Sequence, residues 1–136
     1  MALHTALPDA RLVISGGRND RAEAEQIAAG LDAAILAGET TLQEMMNLIV
    51  GSRGVVSVDT GMAHMTAQLG LPLVVLAGCL GRHWWQEGQY APEAPISVFS
   101  RADLCTDGHK VSRGYSDCLG EIAIPEVVYT AGKVLV

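Results

Sequence analysis

Residues 54–78 read GVVSVDTGMAHMTAQLGLPLVVLAG. The β-branched opening, residues 54–58, predicts a strand that runs straight into Asp59-Thr60-Gly61. Residues 62–69 then predict a helix, and Gly70 is placed to stop it. Residues 72–77 (PLVVLA) make the next strand. Strand, tight turn, helix and strand in immediate succession form a crossover unit, which pairs its two strands in parallel.

The same alternation extends in both directions. Upstream, a polar lead (residues 1–10) precedes an apolar run, residues 11–15 (RLVIS), which ends at Gly16-Gly17. A helix is expected over 21–31, because Ala24, Ile27, Ala28 and Leu31 share a face, and Asp20 occupies the N-cap position. Residues 33–37 predict a short strand. The following helix starts at Thr40 or Thr41 and places Leu42, Met45, Met46 and Ile49 on one face, with Met45, Met46 and Ile49 expected in the core and Thr41 and Glu44 spaced as a capping box. Downstream of the central unit come a glycine-containing loop (78–81), a fifth strand (95–99), an irregular segment (100–120) and a last helix (124–136) beginning near Pro125-Glu126. The expected fold is α/β, a Rossmann-like parallel sheet with flanking helices, in one domain covering residues 1–136. Ligands of such sheets lie beyond the carboxyl ends of the strands, so residues 16–20, 38–41, 59–64 and 78–81 are expected to line one edge.

Composition fits this reading. The 136 residues are 49% hydrophobic but only 4% aromatic, so the core must be built from Ala, Val, Leu and Ile. A net charge of −6, with nine scattered Lys and Arg, argues against nucleic acid or anionic lipid as partner. No apolar run approaches the roughly 20 residues of a membrane span, and residues 1–8 lack the pattern of a secretory leader. Three cysteines, Cys79, Cys105 and Cys118, are too few and too odd for a secreted disulfide scaffold. The expected compartment is the cytoplasm.

The chemistry centres on Asp59, Thr60, Gly61, Met62 and His64. A strand that turns at once into a helix aims the helix's first N–H groups into the ligand crevice, where the positive end of the dipole favours an anion. Gly61 removes the Cβ that would hold a diphosphate off the backbone, Thr60 offers a hydroxyl, and His64 lies one turn further on. Asp59, as an acceptor only, suits a helix cap or a sugar hydroxyl. The alternative is a capped helix with no ligand, and for His64 a core histidine bonded to a backbone carbonyl.

Residues 56–78 resemble the donor-binding half of the heptosyltransferases of glycosyltransferase family nine. The family pattern, roughly D-[ST]-G-x-x-H-x-x-A-x-x-x-x-x-P, is matched by Asp59, Thr60, Gly61, His64, Ala67 and Pro72. Residues 13–17 resemble the family's strand and glycine turn, residues 37–44 (AGETTLQE) its L-x-G-x-x-[ST]-L-x-E segment, and residues 118–122 its terminal C-M-x-x-I. The resemblance implies the carboxy-terminal half of a GT-B glycosyltransferase of lipopolysaccharide biosynthesis. The backbone at Thr60, Gly61 and Met62 would hold the diphosphate of an ADP-heptose-like donor, and Asp20, after Gly17, would meet the ribose. A helix N-cap explains Asp20 equally well, and Glu39 reads as a cap or a solvated loop carboxylate.

The match departs from the pattern at Met62, where the family has Pro, and at Gly78-Cys79-Leu80, where it has G-P-T. The donor domain's first strand and the basic residue after it have no counterpart; spacing does not choose a substitute among Arg18, Arg82 and His83. The resemblance further implies that the acceptor site and general base come from an amino-terminal half outside this sequence. That half would be a separate partner, or a homo-oligomer would cover the face; the other class of reading is a non-catalytic nucleotide-binding or assembly module. No cofactor is implied beyond the donor. Cys105, His109 and Cys118 have a spacing that can hold a metal with Cys79 as a further ligand; free or buried thiols and a Cys105 to Cys118 disulfide are the alternatives. Trp84 and Trp85 are read as stacking on a base, covering a domain interface or simply packing.

Overall fold

The computed structural model describes residues 2–78, 84–85, 89–90, 94–101, 103 and 119–135. The chain divides into two compact units, residues 1–48 and 49–136.

The first unit opens with α1 (Ala2–Ala6), a single turn where the sequence suggested only a polar lead. It buries Leu7, whose N–H continues the turn onto the carbonyl of Leu3 at 3.0 Å. Strand β1 (Leu12–Ile14) pairs in parallel with β2 (Ala33–Ile35), Val13 opposite Ala34. Between them a 3-10 turn (Arg18–Asp20) leads into α2 (Arg21–Ala28). This helix ends one turn short of the expected Leu31, because Gly30 takes a left-handed φ of 78° that only glycine adopts without strain. Arg21 reaches from α2 to the Ala37 carbonyl and pairs with Glu25 and Glu39, which tethers the loop after β2. Glu39 is thus an ion-pair partner in an exposed loop.

Helix α3 (Leu42–Val50) carries the chain from the first unit to the second. Its expected capping box forms: Glu44 accepts from the Thr41 N–H at 2.8 Å, and the Glu44 N–H donates to Thr41 Oγ1 at 3.3 Å. Met45 and Ile49 are buried, as their spacing required.

The second unit contains β3 (Val55–Val58), α4 (Gly61–Gln68), β4 (Leu73–Ala77), β5 (Ile96–Ser100) and α5 (Ile124–Val134). Its sheet has the order β3-β4-β5, parallel throughout, with Val56 opposite Val74 and Val75 opposite Val98. The described strands pair as two parallel sheets of two and three strands with flanking helices, the α/β class that the sequence predicts. β4 is the central strand, and Leu73, Val74, Val75 and Ala77 are fully buried, as a strand covered on both faces must be. One face meets Ala63 and Ala67 of α4 in a cluster with Leu73 and Val75. α5 also packs on β4 and buries Val127 and Ala131 along one stripe. Gly70, at φ 71°, ends α4 where the sequence placed the stop. Among the described residues no helix is long and apolar enough to cross a membrane.

Candidate functional site

The turn between β3 and α4 places five of the residues singled out by sequence. Thr60 stands at the N-cap in extended conformation (φ −139°, ψ 172°) and supplies no side-chain cap. Its carbonyl takes the His64 N–H at 3.2 Å, which leaves the first turn's N–H groups, those of Gly61, Met62 and Ala63, for other partners. A Cβ built on Gly61 meets no described atom within 4 Å, so the helix start opens onto free space there. Small or neutral residues in the first turn leave the dipole unopposed: no acidic side chain lies in it.

Asp59 does not cap this helix. Its carboxylate is engaged elsewhere: Oδ1 accepts from Trp85 Nε1 at 3.0 Å and lies 3.1 Å from His64 Nε2. The indole N–H meets a carboxylate whose side chain is only 9% exposed. The other ring nitrogen, Nδ1, is 2.5 Å from the Tyr90 hydroxyl, which is also 3.1 Å from the Trp84 carbonyl. The three rings stack in sequence, His64 on Trp85 at 4.6 Å and 11°, and Trp85 against Tyr90 at 5.1 Å and 26°. Burial first, then the charge of Asp59, raise Tyr90 above the ordinary tyrosine pKa, so its hydroxyl keeps its proton. His64 is therefore held by side chains, in contrast to a core histidine bonded to a backbone carbonyl.

The hydroxyl of Thr60 is 3.3 Å from Ser57 Oγ. Ser57 directs its own proton to the Val58 carbonyl at 2.8 Å, so Thr60 donates to Ser57 and must leave it to serve an anion.

Asp20 and Gly17 lie together in the first unit. Asp20 occupies the N-cap position of α2 but makes no side-chain cap; its Oδ2 folds back to the Gly17 N–H at 2.7 Å. The 3-10 turn explains this, because it brings the carboxylate over the turn that precedes it. Arg18 is exposed in that turn. Cys79, Arg82, His83, Cys105, His109 and Cys118 lie outside the described residues, and no group of three metal-ligating side chains occurs among the described ones.

Sequence reasoning missed Tyr90 and Ser57 as members of this site, and it left Trp85 among three readings. The available signal was compositional: Trp84, Trp85 and Tyr90 fall close together in a chain with few aromatics. A cleft of about 160 Å³ lies elsewhere, between the end of β5 and the start of α5, lined by Phe99, Ser100, Arg101, Glu121, Ile122, Ala123 and Glu126. None of Asp59, Thr60, Gly61 or His64 borders it, and its Arg101 is engaged by Asp103 and the Glu121 carbonyl.

Comparison with known proteins bears on the whole of this fold. The description of glycosyltransferase family 9 (heptosyltransferase) matches residues 2–84. Lipopolysaccharide heptosyltransferase 1 of Salmonella typhimurium is 36% identical over 63 residues, which is 46% of this chain and 20% of that protein. Lipopolysaccharide heptosyltransferase 2 of the same organism is 32% identical over 111 residues, 76% of this chain and 30% of that protein. The chain thus spans only a fraction of the length of these relatives. In three dimensions it resembles the crystal structure of the glycosyl transferase family 9 from Veillonella parvula, with a TM-score of 0.70 at 18% identity over 98% of this chain and 39% of that one. Parallel sheets flanked by helices, the Asp59 to His64 turn and the match over residues 2–84 lead to one conclusion: this chain belongs to glycosyltransferase family 9.

Proposed function

We propose that this chain is the donor-binding half of a heptosyltransferase-type glycosyltransferase, taking a nucleotide-diphosphate sugar of the ADP-heptose kind. The acceptor site and general base would come from residues outside this sequence. The observation that carries the reading is the uncapped start of α4, open above Gly61. N–H groups there suit the oxygens of a leaving diphosphate, whose stabilisation is half of what sugar transfer requires. In this reading Gly61 and Met62 hold the diphosphate through their backbone, and Thr60 adds its hydroxyl on leaving Ser57. Asp59 keeps Oδ2 for a donor hydroxyl. Cytoplasmic placement follows from the donor, which is a cytoplasmic metabolite class.

Calorimetric titration with ADP, GDP and UDP tests the site. Binding of ADP is expected, and Gly61→Val should weaken it at least tenfold by placing a branched side chain where the phosphate approaches, with the fold intact because the space is open. Unchanged affinity in that variant removes the turn from the argument. Sugar transfer should appear only when an amino-terminal-half protein is supplied; ADP binding without transfer under every pairing favours a non-catalytic nucleotide-binding module.

A further inference from the structure

Asp59 stands immediately before the N-cap of α4, where a free carboxylate is drawn to the helix's own first-turn N–H groups. Were it to settle there, it would occupy the positions that the donor-binding reading gives to a diphosphate. It is held away by Trp85 Nε1, which donates to Oδ1 at 3.0 Å, with His64 Nε2 3.1 Å from the same oxygen. Tyr90 fixes His64 in turn through Nδ1, and its ring packs on Trp85.

We propose that Trp85 and Tyr90 are positioning residues that act through Asp59: by holding its carboxylate against His64 they keep the start of α4 free for a phosphate-bearing ligand. This rests on the donor-binding reading. Each ring contributes separately. Trp85 supplies one N–H to Oδ1, while the Tyr90 hydroxyl, 2.5 Å from His64 Nδ1 and 3.1 Å from the Trp84 carbonyl, ties the imidazole to the backbone. Loss of either donor frees the carboxylate to compete with the ligand.

The test is a double-mutant cycle read by ADP affinity on the whole chain. Trp85→Phe and Tyr90→Phe keep the stacked rings and remove only the polar atom; each is expected to weaken ADP binding about five- to tenfold. In an Asp59→Ala background the same substitutions should change affinity less than about twofold, because the competing carboxylate is gone. A purely structural role would lower affinity equally in both backgrounds, and that result overturns the proposal. Trp84→Phe, which leaves the carbonyl in place, should have no effect. If Trp85→Phe fails to fold, the Tyr90→Phe arm of the cycle decides alone. Wild-type chain that binds no ADP refutes the donor-binding reading and this proposal together; wild-type binding without coupling to Asp59 refutes the positioning role only.

Discussion

Gly54, at the start of β3, is the position where the structure makes its sharpest demand on side-chain size. A Cβ there would lie 2.6 Å from the Pro72 carbonyl oxygen and 2.5 Å from Leu135 Cδ2. The leucine tip can rotate, although Leu135 is buried and has little room. The carbonyl cannot: it accepts the Val55 N–H at 2.9 Å and so opens the β3 to β4 ladder. To restore a 3.0 Å contact the two strands must part by about 0.4 Å, which carries that bond beyond its favourable range. Overpacking of this kind costs about 1–3 kcal/mol, and the weakened bond adds about 1 kcal/mol. For a chain of this length the resulting 2–4 kcal/mol corresponds to a Tm lower by roughly 7–14 °C. Far-ultraviolet circular dichroism melts of Gly54→Ala measure it, with Gly61→Ala as control, because the same methyl group there meets open space. A Gly54→Ala melt within about 2 °C of the wild type would show that Gly54 and the Pro72 carbonyl do not approach as described.

Three further outcomes follow from the packing and the caps. Leu73→Ala, at a fully buried position of the central strand, should cost about 2–5 kcal/mol in urea unfolding, and a loss under about 1 kcal/mol would contradict its burial. Thr41→Ala should lower stability by about 0.5–2 kcal/mol through loss of the α3 cap, measured the same way. Backbone and then side-chain bonds from Thr41 hold Glu44 below its ordinary pKa of 4.5, so its contribution is complete above that value and fades as the pH falls through the lowered one. Glu44→Gln should therefore flatten the acid limb of the stability profile below pH 4.5, and an unaltered limb would exclude the capping role.

Local rules account for what the sequence disclosed. β-branched runs, the Thr41 to Glu44 spacing and Gly70 act within a few residues, and each produced the element expected of it. The open start of α4 was legible for the same reason, since a strand running into Asp-Thr-Gly leaves little choice of backbone. What stayed hidden depends on distant partners. Nothing near Asp59 announces that Trp85, 26 residues on, draws its carboxylate away from the helix, or that Tyr90 secures His64 from the same distance. The division of the strands into two paired sets is likewise a matter of which strands meet, and alternation alone does not encode it. Helix α1 escaped notice because one turn is too short to show a period.

The stacked ring of Trp85 has a practical use. Of the chain's two indoles, Trp85 is stacked on an imidazole and bonded to a carboxylate, while Trp84 stands 61% exposed to water. An event that loosens the Trp85 to Asp59 contact would change the surroundings of one indole and leave the other in water, so it would register in the emission of Trp85. The protein carries its own optical reporter, placed beside the very atoms whose rearrangement matters.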